Sequence, residues 1–376
     1  MSTRRLGVAA ALVDGRLLPG DVAVAGDRVQ AVGLPPAPGG RIAAPGLVDL
    51  QVNGFAGVDV MTADPDALAH LARELAAHGV TAWLPTLITA ERAATDRALR
   101  VLSGVVSRPG RRGGARALGV HLEGPFISPL RLGTHPAEHR RDPDPALVRH
   151  WCAAGPVVAV TLAPELPGAL DLVRYLAGRG VLVSLGHSDA SAEQAHAGFD
   201  AGARTVTHLF NAMSALHHRA PGLPGAALAR SDVTVQLVVD GHHLHADTVR
   251  SAWAAARGRT VLVTDATAAS ARPDTVHELA GLSVEVRGGA VRNDAGVLAG
   301  SALTLDGAVR NACALGIDLA QVLSAASEVP ARLLGRTDVG RLRPGGPADL
   351  VVLDDGLAVD TVLVGGVALD RGAGRS

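Results

Sequence analysis

Eight short apolar segments rich in β-branched residues recur along the chain. They run from Gly46 to Val52, Thr81 to Leu87, Leu118 to Leu122, Val157 to Leu162, Val181 to Leu185, Thr205 to Thr207, Thr234 to Val239 and Val261 to Thr264. Between them lie longer stretches with helical spacing. ADPDALAHLARELAAHG (63–79) has Asp64 or Asp66 near its start and Gly79 as its stop, and SAEQAHAGFDAGA (191–203) opens on Ser191. Eight strands each followed by a helix predict an α/β chain folded as a (β/α)8 barrel, with its chemistry at the C-terminal strand ends.

Residues outside this run read differently. Residues 6–33 form hairpin strands with turns at Asp14-Gly15 and Gly26-Asp27, and residues 348–370 read the same way. The two ends are therefore expected to pair, as a small β-sandwich of residues 1–44 and 339–376 flanking a barrel of residues 45–338. APG (44–46) and RPGGP (343–347) mark the crossings, and PPAPGG (35–40) reads as a loop.

A chain of 376 residues with 48% hydrophobic and 19% charged residues has the composition of a folded globular protein. A formal net charge of −1 with 2% aromatic residues suggests neither a nucleic-acid surface nor a base-stacking platform, so a small-molecule partner is expected. Arg108, Arg111, Arg112 and Arg116, set among glycines, read as a solvated loop. The N-terminal apolar run is cut short by Asp14, against a signal peptide, and no segment reaches the roughly 18 apolar residues of a membrane helix. Cys152 and Cys313 lie far apart without CxxC spacing, which fits a reducing compartment, the cytoplasm. All 35 basic residues are arginines, so Schiff-base chemistry, a P-loop lysine and a carboxylated bridging lysine are excluded.

Polar residues collect where the strands end: Gln51 and Asn53 after the first, Glu123 after the third, His187 after the fifth, His208 after the sixth and Asp265 after the eighth. Singly, a histidine there is an ordinary hydrogen-bonded residue and an aspartate a helix cap. Brought to one barrel mouth over an apolar floor, two imidazoles and two carboxylates are mutually unfavourable without a cation. Glu123, His187 and His208 form the set that holds a catalytic divalent ion with one position open to water. Asp265 remains to take a proton from that water, whose pKa such an ion lowers from ~16 to about 7. Hydrolysis is the chemistry expected.

HLEGP (121–125), GTH (133–135), LGHS (185–188), THLFNAM (207–213), DGHH (240–243) and VTDAT (263–267) occur in this order. With PGLVDLQVNG (45–54) and GSALTLDGAVRN (300–311), the chain resembles the N-acetylglucosamine-6-phosphate deacetylase family of the amidohydrolase superfamily over nearly its whole length. The resemblance implies that Glu123, His187 and His208 bind metal, that Asp265 is the general acid/base, and that His135 polarises the amide carbonyl. It also implies that Asn211, the backbone of Ala212, Arg219 and His243 bind the substrate's phosphate. A homodimer is implied too, in which Arg219 serves its own site or a neighbour's.

Many superfamily members carry His-x-His where this chain has Gln51-Val52-Asn53. Amides are poor metal ligands, so one divalent ion per chain is expected, zinc first, with Fe2+, Mn2+ or Co2+ as alternatives. His217, His218, His242 and His245 read as exposed loop residues. Three alternatives stay open: the galactosamine epimer as substrate, a cyclic amidase or deaminase with the same metal set, and a sugar-phosphate-binding protein without turnover.

Overall fold

The structure, a computed structural model, describes residues 3–106, 113–272 and 276–369. Arg108, Arg111, Arg112 and Asp370 lie outside these residues, while Arg116 pairs with Asp338 at 2.8 Å. Eight parallel strands make the barrel: β1 (Leu47–Val52), β2 (Val80–Ile88), β3 (Val120–Glu123), β4 (Val157–Leu162), β5 (Leu182–Leu185), β6 (Thr205–Val206), β7 (Thr234–Leu237) and β8 (Thr260–Leu262). Each pairs with the next in sequence. A bridge between Val52 and Ala266, with Asn53 N–H donating to the Ala266 carbonyl at 2.8 Å, brings the last strand end back to the first.

Every residue of β1 and β2 is buried, as parallel strands covered on both faces require. The helices between strands start where local chemistry permits. Asp64 caps Pro65–Ala77 by accepting from the N–H groups of Asp66 and Ala67, and the chain leaves that helix through Gly79 at φ +83°. Ser191 and Gln194 form a capping box at the head of Ala192–Ala201. Among the described residues no helix is long and apolar enough to cross a membrane.

The two ends of the chain meet in a six-stranded sheet. Ile42–Pro45 lies in its interior, parallel to Ala10–Val13 and antiparallel to Leu350–Leu353. A three-stranded sheet of Thr3–Arg5, Asp21–Ala25 and Arg28–Leu34 packs beside it. The run LVVL at 350–353 shows how the sheets divide their side chains: Leu350 and Val352 join the core between the sheets, whereas Val351 and Leu353 join the main core.

One element is absent from the sequence reading. Val276–Leu279, Leu282–Arg287 and Ala290–Asn293 form an antiparallel sheet after β8. Its apolar face, Leu279, Val284, Val286 and Val291, packs with Ile88 at the end of β2 and thus covers part of the barrel mouth.

Gly46 links the terminal sheet to β1 at a close approach: a Cβ there would lie 2.0 Å from Thr81 Oγ1 and 2.3 Å from its Cγ2. Gly46→Ala is therefore expected to lower the unfolding free energy by about 1–3 kcal/mol, the scale of overpacking. The check is a urea midpoint at unchanged m-value. Parental stability would mean that Thr81 moves aside without loss.

Candidate active site

The strand ends converge. Asn53, Glu123, His187, His208 and Asp265 line one cavity of about 290 Å³. Gln51, fully buried, touches two of them: its Nε2 donates to Glu123 Oε1 and to Asp265 Oδ1, both at 3.0 Å.

Glu123 Oε1 is the hub. His208 Nε2 lies 3.0 Å from it and His187 Nε2 3.2 Å, and the two ring nitrogens are 3.1 Å apart. His187 Nδ1 sits 2.9 Å from the Arg131 carbonyl, which can only accept, so Nδ1 carries the hydrogen and Nε2 turns a lone pair on the carboxylate. Lone pairs forced together in a buried site call for positive charge. Burial pushes the Glu123 carboxyl up, yet the His187 and His208 rings facing it hold it well below the usual carboxylate range. Burial likewise pushes His208 down, but Glu123 beside it brings the ring above its ordinary value. The protein alone thus draws a proton to this point. Three ligand atoms of this kind would hold a divalent cation there equally well, so the residues fit a metal.

His135 also offers a ligand atom within 4.8 Å of those of Glu123 and His187. Its Nε2 lies 4.0 Å from Glu123 Oε2, looser than the contacts His208 makes. Thr89 N–H donates to His135 Nδ1 at 3.4 Å, which leaves the hydrogen on Nε2, toward the cavity. Burial, and then His187, push this ring down to about 3. His135 is a neutral hydrogen-bond donor, and the tighter triplet is Glu123, His187 and His208.

Asp265 is held by one oxygen. Its Oδ1 accepts from Gln51 Nε2 and, at 2.7 Å, from Asn53 Nδ2, which leaves Oδ2 for chemistry. Burial, then Glu123, raise this carboxyl to about 6. Asp265, His187 and His208 all have positive φ, +51°, +48° and +31°. Such backbone costs about 1–3 kcal/mol per residue and persists where the surroundings enforce it. At Asp265 the carbonyl is gripped by Ser301 N–H at 2.8 Å, and a Cβ on Gly300 would stand 2.7 Å from that oxygen.

The remaining expected residues divide. Asn211, Ala212 and His243 line the cavity, and Arg219 does not: it is exposed, with Nη1 2.8 Å from His218 Nε2. His217, His218, His242 and His245 are exposed, and His245 caps the helix Ala246–Ala255.

Other contributors escape the sequence reading. Leu279, Val297 and Leu298 give the cavity an apolar part of its lining, and Leu130 and Arg131 also line it. The alternation in Val276–Asn293, broken at Ala280-Gly281 and Gly288-Gly289, was the available signal for the sheet that carries Leu279. Inside the barrel, His121, Thr161, Thr207 and Ser184 form a buried row linked at 2.8, 2.8 and 2.5 Å. Burial pushes His121 down to about 4, so the row is uncharged.

A family model described as the amidohydrolase family matches residues 42–369. The chain belongs to the amidohydrolase family. It is 42% identical over 330 residues to the N-acetylgalactosamine-6-phosphate deacetylase of Escherichia coli O157:H7, covering 87% of each chain. It is 40% identical to the human N-acetylglucosamine-6-phosphate deacetylase, covering 87% of this chain and 83% of that one. A solved Mycobacterium smegmatis N-acetyl-D-glucosamine-6-phosphate deacetylase, a point mutant in complex with N-acetyl-D-glucosamine-6-phosphate, superposes with a TM-score of 0.92 at 35% identity, covering 98% of this chain and 99% of that one.

In this amidohydrolase the Gln51 amide separates two buried carboxylates. Gln51→Leu removes a donor from both, leaving Glu123 and Asp265 facing each other, and is expected to cost about 1–3 kcal/mol of stability in chelator-treated protein. A denaturant midpoint equal to that of the parent would show that neither carboxylate depends on the amide.

Proposed function

We propose that this amidohydrolase removes the acetyl group of N-acetylglucosamine 6-phosphate, releasing acetate and glucosamine 6-phosphate. One observation carries the reading: a cation-demanding Glu123–His187–His208 cluster shares a cavity with a carboxylate, Asp265, whose second oxygen is free of the amides that hold the first. The substrates named for the relatives supply the chemical class.

Glu123, His187 and His208 hold one divalent cation, and zinc suits two neutral imidazoles and a carboxylate. Gln51 and Asn53 turn N–H groups toward the carboxylates, which supports a single ion. When bound, the cation supplies Lewis acidity toward the carbonyl and acidifies a water. Asp265 Oδ2 is placed to take the proton of the attacking water. His135 Nε2–H donates to the oxygen on which charge develops. Asp265 then returns the proton to the departing nitrogen, a double use suited to a carboxyl raised to about 6.

At the other end of the substrate, Asn211, the backbone at Ala212 and His243 receive the 6-phosphate. Arg219, exposed and outside the lining of its own cavity, serves the site of the partner in a homodimer. The galactosamine epimer is a second reading, favoured by the 42% identity to the Escherichia coli enzyme that bears that name.

The metal assignment predicts about one divalent ion per chain by elemental analysis. Ion content should fall in His187→Ala and His208→Ala but persist in Asp265→Asn. In the last variant kcat should drop at least about 100-fold, the usual scale for loss of a general base. Two tightly held ions, or loss of the ion from Asp265→Asn, would reassign the ligands.

The substrate assignment is tested by acetate release from N-acetylglucosamine and N-acetylgalactosamine, each with and without the 6-phosphate. N-acetylglucosamine 6-phosphate should be the best of the four, and Arg219→Ala should lose roughly 10 to 150-fold in kcat/KM on the phosphorylated sugars only. Mixing Arg219→Ala with Asp265→Asn should restore about a quarter of parental activity, because half the dimers are mixed and one site in each is whole. No recovery places Arg219 in its own site. No acetate from any sugar removes the reading.

A further inference from the structure

His243 is held by a built support. After β7 the segment Asp240-Gly241-His242-His243 folds back on itself: Asp240 Oδ1 accepts the backbone N–H groups of His242 and His243, each at 2.8 Å. Asp240 Oδ2 lies 2.7 Å from His243 Nδ1, and both side chains are only 6% exposed. Burial works to raise the Asp240 carboxyl, but His243 and the two N–H groups hold it below its ordinary value. An ionised carboxylate only accepts, so His243 Nδ1 carries a hydrogen and Nε2 is the ring nitrogen left for the cavity.

That arrangement decides what His243 can offer. With Nδ1 committed, the neutral ring presents a lone pair to the cavity, and a phosphate dianion has no hydrogen to give it. The contact becomes attractive once Nε2 is protonated, with the Asp240 charge on the far side of the ring balancing the imidazolium. We propose that Asp240 is the positioning residue of the phosphate subsite, fixing the His243 ring with Nε2 toward the cavity and supporting its cationic form when phosphate docks. This inference rests on the reading of His243 as a phosphate contact. Asp240 has no part in the hydrolytic steps derived for Asp265 and His135.

Asp240→Asn isolates the effect. The new amide oxygen can still accept both backbone N–H groups, so the turn survives, while its NH2 group donates to Nδ1 and shifts the ring hydrogen to Nε2. Metal-loaded protein is assayed on N-acetylglucosamine 6-phosphate and on N-acetylglucosamine, and the His243 tautomer is followed by 15N NMR, its signals assigned by their loss in His243→Ala. The Nε2–H left by this change is a neutral donor with no carboxylate behind the ring to support an imidazolium, so KM for the phosphorylated sugar should rise roughly 5- to 20-fold, with kcat changed less than about 3-fold. The hydrogen should move from Nδ1 to Nε2. In a His243→Ala background the same change should add less than about 2-fold, because Asp240 acts through the ring. Asp240→Ser, which keeps an acceptor without the charge, should reproduce the KM effect should the amide variant fold poorly.

Equal losses on both sugars, an unchanged tautomer, or a further loss in the His243→Ala background would overturn the proposal and make Asp240 a turn former. If His243→Ala itself leaves the preference for phosphorylated sugar intact, the phosphate reading falls and this inference with it.

Discussion

Three atoms that all want a positive partner, Glu123 Oε1 and the Nε2 atoms of His187 and His208, are held within 3.2 Å of one another in a buried site. Left to itself such a group would spread apart. The barrel prevents this, because each side chain leaves a strand end whose position is set by parallel pairing on both sides. The positive φ values at His187 and His208 belong to the same enforcement: the backbone departs from its preferred region to aim two rings at one carboxylate. The Arg131 carbonyl completes it by choosing which His187 nitrogen faces inward.

Around this knot the chain sorts its polar groups by what they can donate. Gln51 and Asn53 bring N–H groups to the two carboxylates and occupy one oxygen of Asp265, so the amides do for charge separation what a second cation would otherwise have to do. Deeper in the barrel His121 and a row of hydroxyls satisfy one another, and the buried Asp49 carboxyl accepts from the Thr264 hydroxyl at 2.6 Å. Leu279, from the antiparallel sheet after β8, and Val297 and Leu298, which follow that sheet, add apolar side chains to the lining.

Much of this was legible in the sequence because the signals were local. Val80–Ile88 and Val157–Leu162 announce themselves as largely apolar runs, Ser191 and Asp64 as caps, and Asn53, Glu123, His187, His208 and Asp265, at the ends of five of the eight segments, as residents of the barrel mouth. The sheet at 276–293 did not register because its strands alternate with charged residues, as at Leu282–Arg287, and carry no continuous apolar stretch. The hydrogen-bonded position of His135 and the orientation of Asp265 depend on Thr89, Gln51 and Asn53, partners 46, 214 and 212 residues away, and no window along the chain contains both members of such a pair. Arg219 was legible as a residue type and as a loop, whereas its place outside the lining of its own cavity is a property of the folded chain alone.

The terminal sheet has a temporal side. Ile42–Pro45 finds one neighbour, Ala10–Val13, within its own stretch of chain, but the other, Leu350–Leu353, lies roughly 300 residues downstream. During synthesis at about 5–20 residues per second, that edge therefore waits for some tens of seconds while the barrel between is being made. An unpaired strand kept waiting so long is a place for wrong partners, including the same segment of another nascent chain. The final pairing is also the one that ties the two ends together, so this sheet acts as a completion signal: its edge is covered only when everything between has been made and folded.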